Sequence, residues 1–293
     1  MAGVTDPVHE RRQLTGLAYR LLGSLSDAED VVQEAFGRWY ALSGPQRDAI
    51  ASPAAWLTTV AGRLCLDQLR SARVRRERYV GEWLPEPLPG QTGAITDPAD
   101  RVTLDESVTM AFLVVLESMT PAERVAFVLH DVFGYPFAEV AAILGRSPAA
   151  SRQLASSARR RVRAARAPAP ARESAEVVRA FKAAWEAGDI EGLVGLLDPE
   201  ATVVADGGGL VSAVRHPIVG GERVARYAVD LTSRILPLSL VEATVNGQPG
   251  LVARRGGDLV AVLAFEVAGA AVRRIWAVRN PEKLRGWQVE RAS

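Results

Sequence analysis

The sequence holds little cysteine, little histidine and no long apolar run, and each scarcity closes off a class of protein. Cys65 is the only cysteine among 293 residues, so an intramolecular disulfide is impossible and cysteine-based zinc spacing is absent. His9, His130 and His216 are widely separated, which gives metal ligation no spacing to work with; no metal and no other cofactor is expected. No stretch of about 18 apolar residues occurs, and Met1 to Gln13 is polar and charged. Neither membrane insertion nor secretion is indicated, and a reducing cytoplasm is the expected location. Net charge is also small, with 35 Lys and Arg against 34 Asp and Glu. The 48% apolar and 24% charged fractions are those of an ordinary globular protein, and the length suggests two or three compact units.

A balanced total conceals an unbalanced distribution, and the distribution decides electrostatics. Arg70, Arg73, Arg75, Arg76 and Arg78 surround only Glu77. Arg146, Arg152, Arg159, Arg160, Arg161, Arg163 and Arg166 follow one another with no acidic residue between the first and the last. Acids gather elsewhere, at Asp27, Glu29, Asp30 and Glu34.

Apolar spacing organises the first half into helices. Leu14, Leu17, Ala18, Leu21 and Leu22 form one stripe, ended by Gly23. Ser26 and Glu29 have capping-box spacing ahead of Val31, Val32, Ala35, Phe36 and Trp39. Ser52 and Pro53 open a third helix that runs through Trp56, Leu57, Val60, Leu64 and Leu69 into the first arginine cluster. Breakers from Gly81 to Pro98 then predict a linker. Helical spacing resumes at Leu104 and continues to Met119; Thr120, Pro121 and Glu123 cap another helix through Val128. Phe137 to Leu144 is short and apolar, Gly145 gives a tight turn, and Ser147 with Pro148 caps a long arginine-rich helix, which together make a helix-turn-helix candidate. Pro168 and Pro170 form a second linker. Beyond it the pattern becomes mixed, with strands near 201–206, 238–246, 250–255, 258–267 and 271–279, hairpin turns at Asn246-Gly247 and Gly256-Gly257, and a mostly antiparallel sheet with two or three helices.

Three of these segments suggest a task. On the arginine-rich helix, Leu154, Ala158, Val162 and Ala165 are placed to face a core, while Arg152, Ser156, Arg159, Arg160 and Arg163 share the opposite face. Arg152 and Gln153 are types that pair with base edges, and the later arginines reach phosphates. An arginine run can also merely solubilise a helix, but the lack of compensating acids and the preceding turn favour DNA. The earlier cluster mixes with Trp56, Tyr79 and Trp83, the recipe for unpaired bases, although Trp56 between Ala54 and Leu57 reads more naturally as core. The acidic helix presents Asp27, Asp30, Gln33, Glu34 and Arg38 away from its apolar stripe, a surface suited to a protein partner that is basic at the contact.

These segments in this order resemble a known family. Residues 10–167 resemble a bacterial sigma factor of the extracytoplasmic-function type, through SDAEDVVQEAFGRWY, SPAAWLTTVAGRLCLDQLRSARVRRER and MTPAERVAFVLHDVFGYPFAEVAAILGRSPAASRQLASSARRRVRAAR. The resemblance implies that Asp27, Asp30, Gln33, Glu34 and Arg38 dock on the β′ clamp helices of core RNA polymerase, whose β flap is a further expected contact. It implies that Trp56, Arg63, Asp67, Arg70, Arg73, Arg75 and Arg76 melt and hold the minus-ten promoter element, with Arg63 standing where many relatives carry Asn. Ser147, Arg152, Gln153, Ser156, Arg159, Arg160 and Arg163 would read the minus-thirty-five element.

The linker WLPEPL and the last domain narrow the likeness to a subgroup with a fused SnoaL-like, nuclear-transport-factor-two-like extension. Its carriers are DGGG at Asp206, Gly207, Gly208 and Gly209, and NPEKL at Asn280, Pro281, Glu282, Lys283 and Leu284. Leu210 and Glu282 stand where the subgroup usually has Lys and Asp. The two motifs are expected to meet Trp83, Leu84, Pro85, Glu86 and Pro87 of the linker, making the extension a regulator of the sigma modules.

The expected architecture is therefore multidomain. All-α sigma region two spans 1–80, the linker 81–103, all-α region four with its helix-turn-helix 104–167, a short linker 168–172, and an α+β SnoaL-like, cone-shaped antiparallel-sheet domain 173–293. The expected function is promoter recognition and transcription initiation with core RNA polymerase, without catalysis, by a chain that is monomeric when free. An enzyme in the extension is disfavoured: Asp206 and His216, beside Arg215, read as surface loop residues with no second carboxylate or nucleophile. The alternative is a helix-turn-helix transcription regulator with a ligand-sensing C-terminal domain, which would have no need of a polymerase-docking helix. A small ligand in the C-terminal pocket is left open by either reading.

Overall fold

The structure, a computed structural model, describes residues 7–76, 79–90, 108–164, 171–234 and 238–287, without the side chains of residues 7–8, 72–76 and 233–234. The chain divides into a helical unit (residues 1–77, 102–104 and 112–166) and an α+β unit (78–101, 105–111 and 167–293). Among the described residues, no helix is long and apolar enough to cross a membrane.

The first part of the helical unit is a bundle of α1 (Pro7–Leu22), α2 (Leu25–Ala41), the short α3 (Gly44–Asp48) and α4 (Pro53–Arg76). Gly23, at φ 70°, ends α1 in a left-handed turn that an L side chain would resist. The cap of α2 is Ser24, whose hydroxyl accepts the Asp27 amide, rather than the expected Ser26. Ser24 is the extended residue, and starting there lets Asp27 fall in the first turn, where a carboxylate suits the helix dipole. Helix α3, which the apolar pattern does not reveal, is closed by a capping box between Ser43 and Gln46. Ala28, Val32, Phe36 and Trp39 of α2 are buried, as are Leu17 and Leu21 of α1 and Leu57 of α4.

The second part contains α5 (Met110–Glu117), α6 (Pro121–Phe127) running into a single wide turn at Val128–Val132, α7 (Phe137–Leu144) and α8 (Pro148–Ala164). Thr120 and Glu123 make the expected capping box. Gly145, left-handed at φ 64°, caps α7, and Ser147 caps α8 by accepting the Ala150 amide. Helix α8 buries Ser151, Ala155 and Ala158, with Leu154 and Val162 only half-buried, and Ala165 lies outside the described residues. These small residues allow close approach to α6, where Ser157 donates to Glu123 at 2.7 Å.

The α+β unit packs α9 (Ala171–Ala187), α10 (Ile190–Leu196) and α11 (Gly221–Arg234) against a six-stranded sheet. Its strands are β1 (Leu197–Asp206), β2 (Ile218–Val219), β3 (Leu238–Val245), β4 (Gln248–Arg255), β5 (Asp258–Ala268) and β6 (Ala271–Val278), ordered β2-β1-β6-β5-β4-β3. The β3-to-β6 meander is antiparallel, and Asn246-Gly247 and Gly256-Gly257 make its first two turns with positive φ throughout. The sheet is mixed rather than wholly antiparallel: β6 returns beside β1 and pairs with it in parallel. That follows from the long connection through β2 and α11, which carries the chain to the far edge before the meander brings it back. The α+β fold class stands. Core residues Phe181, Trp185, Leu193, Leu251, Phe265 and Ile275 join helices to sheet, and the Trp185 indole donates to the Ala228 carbonyl at 2.6 Å.

The linker residues 79–90 belong to this unit. Proline-rich and without a regular element of its own, this segment runs along the end of β3: Asn246 N donates to Leu88 O at 2.9 Å and Gly90 N to Thr244 O at 2.8 Å. Pro89 forms a bridge with Val245, a place proline tolerates because it lies at a sheet edge.

Candidate functional site

Three groups of candidate residues take quite different forms. On α2, the apolar stripe turns inward and leaves Asp30, Gln33, Glu34 and Arg38 exposed, with Asp27 half-exposed. Arg38 and Glu34 form an exposed i,i+4 pair at 2.8 Å, worth little to stability and available to a partner.

Helix α4 carries Trp56, Arg63, Asp67 and Arg70. Trp56 is half-buried against Trp39, with ring centroids 5.4 Å apart, so it serves the bundle and still presents an edge. Arg63, Asp67 and Arg70 are exposed, and the last two pair at 3.4 Å. Arg73, Arg75 and Arg76 lie on the last turns, with side chains outside the described residues, as does Arg78. Part of α4 meets the second half of the helical unit. The Arg63 guanidinium donates to the Ala142 carbonyl at 3.0 Å, and Thr58 and Tyr135 share a hydrogen bond at 2.9 Å. A Cβ on Gly62 would come within 3.1 Å of the Ile143 side chain, so this glycine permits close packing of α4 on α7. Arg124, nearly fully buried, pairs with Glu117 at 2.6 Å and donates to the Leu21 carbonyl at 2.8 Å; burial lowers its pKa to about 9.

Helix α8 exposes Ser147, Arg152, Gln153, Ser156, Arg160 and Arg163. The Arg152 guanidinium sits 5.6 Å from the Phe137 ring centre, which orients it at the N-terminal end of the helix. Arg159 differs from its neighbours: it pairs with Asp131 at 2.5 Å and is only half-exposed. The arginine run is thus partly compensated, by an acid from the wide turn before α7 that lies too far away in sequence to be noticed. Buried Glu123 anchors the inner side of α8. Burial pushes its carboxyl up, but donation from Ser157 and Thr120 outweighs this and holds it below the usual carboxylate range.

The third group is a buried network within the α+β unit, around Asp206 at the end of β1, which is 0% exposed. One carboxylate oxygen accepts from the Tyr79 hydroxyl at 2.6 Å and the Gly208 amide at 3.0 Å. The other accepts from the Leu84 amide at 2.9 Å and the Lys283 ammonium at 2.7 Å. Four donors nearly saturate a carboxylate, and Lys283 balances its charge. Lys283 also donates to the Leu84 carbonyl at 2.5 Å and lies 4.1 Å from the Trp83 ring centre. Asn280 donates to the Tyr79 hydroxyl at 3.0 Å and accepts the Glu282 amide, while the Trp287 indole donates to the Pro87 carbonyl at 2.8 Å. Leu84, Pro85, Glu86, Pro87 and Leu284 are buried, whereas Pro281 and Glu282 are exposed.

Glycine is required beside this network. Gly208 has φ 64°, and a Cβ there would lie 2.4 Å from the Asn280 amide nitrogen; one on Gly207 would lie 2.4 Å from the Val211 carbonyl. Gly209 is likewise left-handed, and Leu210 is 59% exposed, so the network's cation is Lys283. The reading of Asp206 as a surface loop residue is therefore wrong: it is the most enclosed acid among the described residues of the domain, while His216 is exposed. A carboxylate held by four donors is a structural anchor rather than an acid–base catalyst.

Residues 8–75 match the family Sigma-70 region 2 and residues 109–162 match Sigma-70, region 4. The chain is 43% identical to the ECF RNA polymerase sigma factor SigJ of Mycobacterium tuberculosis over 94% of its own length and 91% of that protein's. The chain belongs to the extracytoplasmic-function sigma factors. It is 38% identical to the probable ECF RNA polymerase sigma factor SigI of the same species, over 95% of both. The crystal structure of SigJ superposes with a TM-score of 0.76 at 40% identity, covering 94% of this chain and 96% of that one.

As an ECF sigma factor the protein works with core RNA polymerase and promoter DNA to direct initiation, and is not itself an enzyme. The rival of a ligand-sensing helix-turn-helix regulator is not favoured, because such a protein has no use for region two, which α1 to α4 supply. Tyr79, Asn246 and Trp287 join the linker network unforeseen, since nothing in their neighbourhoods marks them as partners of a segment more than a hundred residues away.

Proposed function

We propose that the sigma factor binds the polymerase clamp helices through Asp27, Asp30, Gln33, Glu34 and Arg38, with region four on the β flap. The minus-ten element is taken by the α4 segment from Trp56 to Arg76, and the minus-thirty-five element by Ser147, Arg152, Gln153, Ser156, Arg160 and Arg163. Arg159 contributes to the latter only when freed from Asp131. The α+β domain acts as a fused regulator by gripping the linker between regions two and four. The observation that supports this reading is the Asp206 carboxylate, buried and bonded to both Tyr79 and the Leu84 amide of the linker. A protein that must span two promoter elements changes activity when its inter-module segment is clamped.

The α4–α7 contact fits a resting state. Arg63 and Thr58, on the helix assigned to the minus-ten element, are engaged by Ala142 and Tyr135. Promoter DNA must displace that contact to reach them. The protein is expected to be monomeric and cytoplasmic before it meets the polymerase.

The test is run-off transcription with core RNA polymerase and the full chain, comparing the natural protein with Asp27→Ala/Asp30→Ala/Glu34→Ala and with Asp206→Asn. The first variant should lose polymerase binding in pull-down while keeping its fold. The second should bind polymerase and change promoter output. Full activity from the triple variant would remove α2 as the docking face; unchanged output from Asp206→Asn would remove the linker clamp.

A further inference from the structure

The α+β unit contains a second feature that promoter recognition does not use: a cavity between α9, α11 and the sheet. Water-sized molecules can occupy about 60 Å³ of it, and it opens to solvent. Phe181, Trp185, Leu231 and Leu263 give it apolar walls, and Ala205, Ala253, Ala261 and Ala277 leave the room. Polar side chains in the lining are few. The Trp185 indole is already bonded to the Ala228 carbonyl, which leaves the Tyr227 hydroxyl and the Arg279 guanidinium. Among the described lining residues there is no carboxylate, histidine or nucleophile, so the chamber is equipped to bind rather than to catalyse.

We propose that this cavity binds a small apolar molecule bearing one acidic group, its hydrocarbon part among the alanines and aromatics and its anion on Arg279 and Tyr227. Arg279 is half-buried. Burial and the charge of Arg255 both disfavour its cation, with Tyr227 acting the other way, so an anion at this point relieves an unfavourable charge. A guanidinium beside an apolar chamber is suited to a carboxylate because it offers several donors in a fixed plane.

The cavity and the linker grip share two strand ends. Val203 and Ala205 of β1 and Ile275 and Ala277 of β6 face the chamber, as does Arg279; Asp206 and Asn280, the next residues along, carry the linker network. Arg279 binds both: its amide donates to the Asp206 carbonyl at 2.7 Å, and its guanidinium donates to the Ser212 carbonyl in the loop after the glycines. An anion that draws the guanidinium inward competes with Ser212 and is transmitted to that loop. This second half of the inference rests on the linker clamp proposed above; the binding half does not.

The experiment titrates the full chain with naphthalene-2-carboxylate and octanoate, and with the two corresponding amides, by calorimetry and tryptophan fluorescence. The acids should bind at least about tenfold tighter than the amides, a difference of about 1.4 kcal/mol. Arg279→Gln should erase that preference. Ala253→Leu, at a buried lining position, and Ala277→Leu, at a half-buried one, should each weaken acid and amide alike, with folding checked by circular dichroism. No binding of either acid at millimolar concentration, equal binding of acid and amide, or binding indifferent to both filling variants would overturn the site. Run-off transcription with and without naphthalene-2-carboxylate then tests the coupling: bound ligand with altered output supports it, and bound ligand with unchanged output overturns the coupling while leaving the site.

Discussion

Two contacts between sequence-distant segments can be set side by side, one within each unit. In the helical unit α4 meets α7 through a glycine, one neutral hydrogen bond between Thr58 and Tyr135, and one exposed arginine on a carbonyl. In the α+β unit the linker is held by a buried carboxylate with four donors, a half-buried lysine and an indole on a proline carbonyl. The first contact leaves no buried charge behind when it parts. The second parts only by breaking together the Tyr79 and Leu84 bonds to the carboxylate, the Lys283 bond to the Leu84 carbonyl and the Trp287 bond to the Pro87 carbonyl. The α4–α7 contact is thus the looser of the two and the linker anchor the firmer.

The sharpest way to break that contrast is Asp206→Ala. It orphans Lys283 and removes the acceptor of the Leu84 amide and Tyr79 hydroxyl, so the α+β unit should lose about 3–5 kcal/mol. Denaturant unfolding should show the loss, and protease cleavage should appear between Trp83 and Pro89. A loss below about 1 kcal/mol would place Asp206 on the same footing as the helical contact.

Next in size is Gly62→Leu, which tests the looser side. A leucine there must displace Ile143, against which even a Cβ is already tight at 3.1 Å. Overpacking of this kind costs about 1–3 kcal/mol. If the contact is made to open, the helices relieve the strain by parting, and promoter binding rises while global unfolding changes little. If unfolding alone changes, α4 and α7 form a permanent core. Arg152→Ala belongs in the same range: losing a base contact should cost about 1–3 kcal/mol of promoter affinity and relax discrimination at that base pair, measured by competition binding.

How much of this was legible depends on whether the signal is local. Helix caps at Thr120, Ser147 and Ser52, and the Asn246-Gly247 turn, are written in adjacent residues and were readable. Charge along α2 and α8 was equally plain, because a helical face repeats at fixed spacing. The Ser24 cap was missed because Ser26 and Glu29 offered a rival with the spacing of a capping box. Asp131 on Arg159, and Ala142 on Arg63, are contacts of the folded chain with no trace in spacing. The burial of Asp206 could not be read from DGGG by periodicity, which sees a turn and therefore a surface. The parallel β1–β6 pair was hidden for a similar reason, since strand order is decided by where a long connection leads.

The smallest effect belongs to Tyr79→Phe, and it separates charge from packing within the anchor. Burial first, and then the hydrogen bond to Asp206, raise the phenol above its ordinary value of 10.0. A raised folded value means that the protonated phenol stabilises the anchored linker. That contribution is complete below about pH 10 and is lost as pH rises through the higher folded value. Phenylalanine keeps the ring beneath Lys283, 5.3 Å away, and removes only the hydroxyl. The variant should therefore be about 1 kcal/mol less stable than the natural protein at neutral pH. The gap should narrow as pH climbs above 10, because the unfolded tyrosine ionises there while the folded phenol stays protonated on Asp206, and other titrating groups act on both proteins alike. Denaturant midpoints of the two proteins, measured from pH 7 to 11, give the comparison directly. A gap that stays constant across this range would mean that the ring, rather than the hydroxyl on Asp206, fixes the linker at this end.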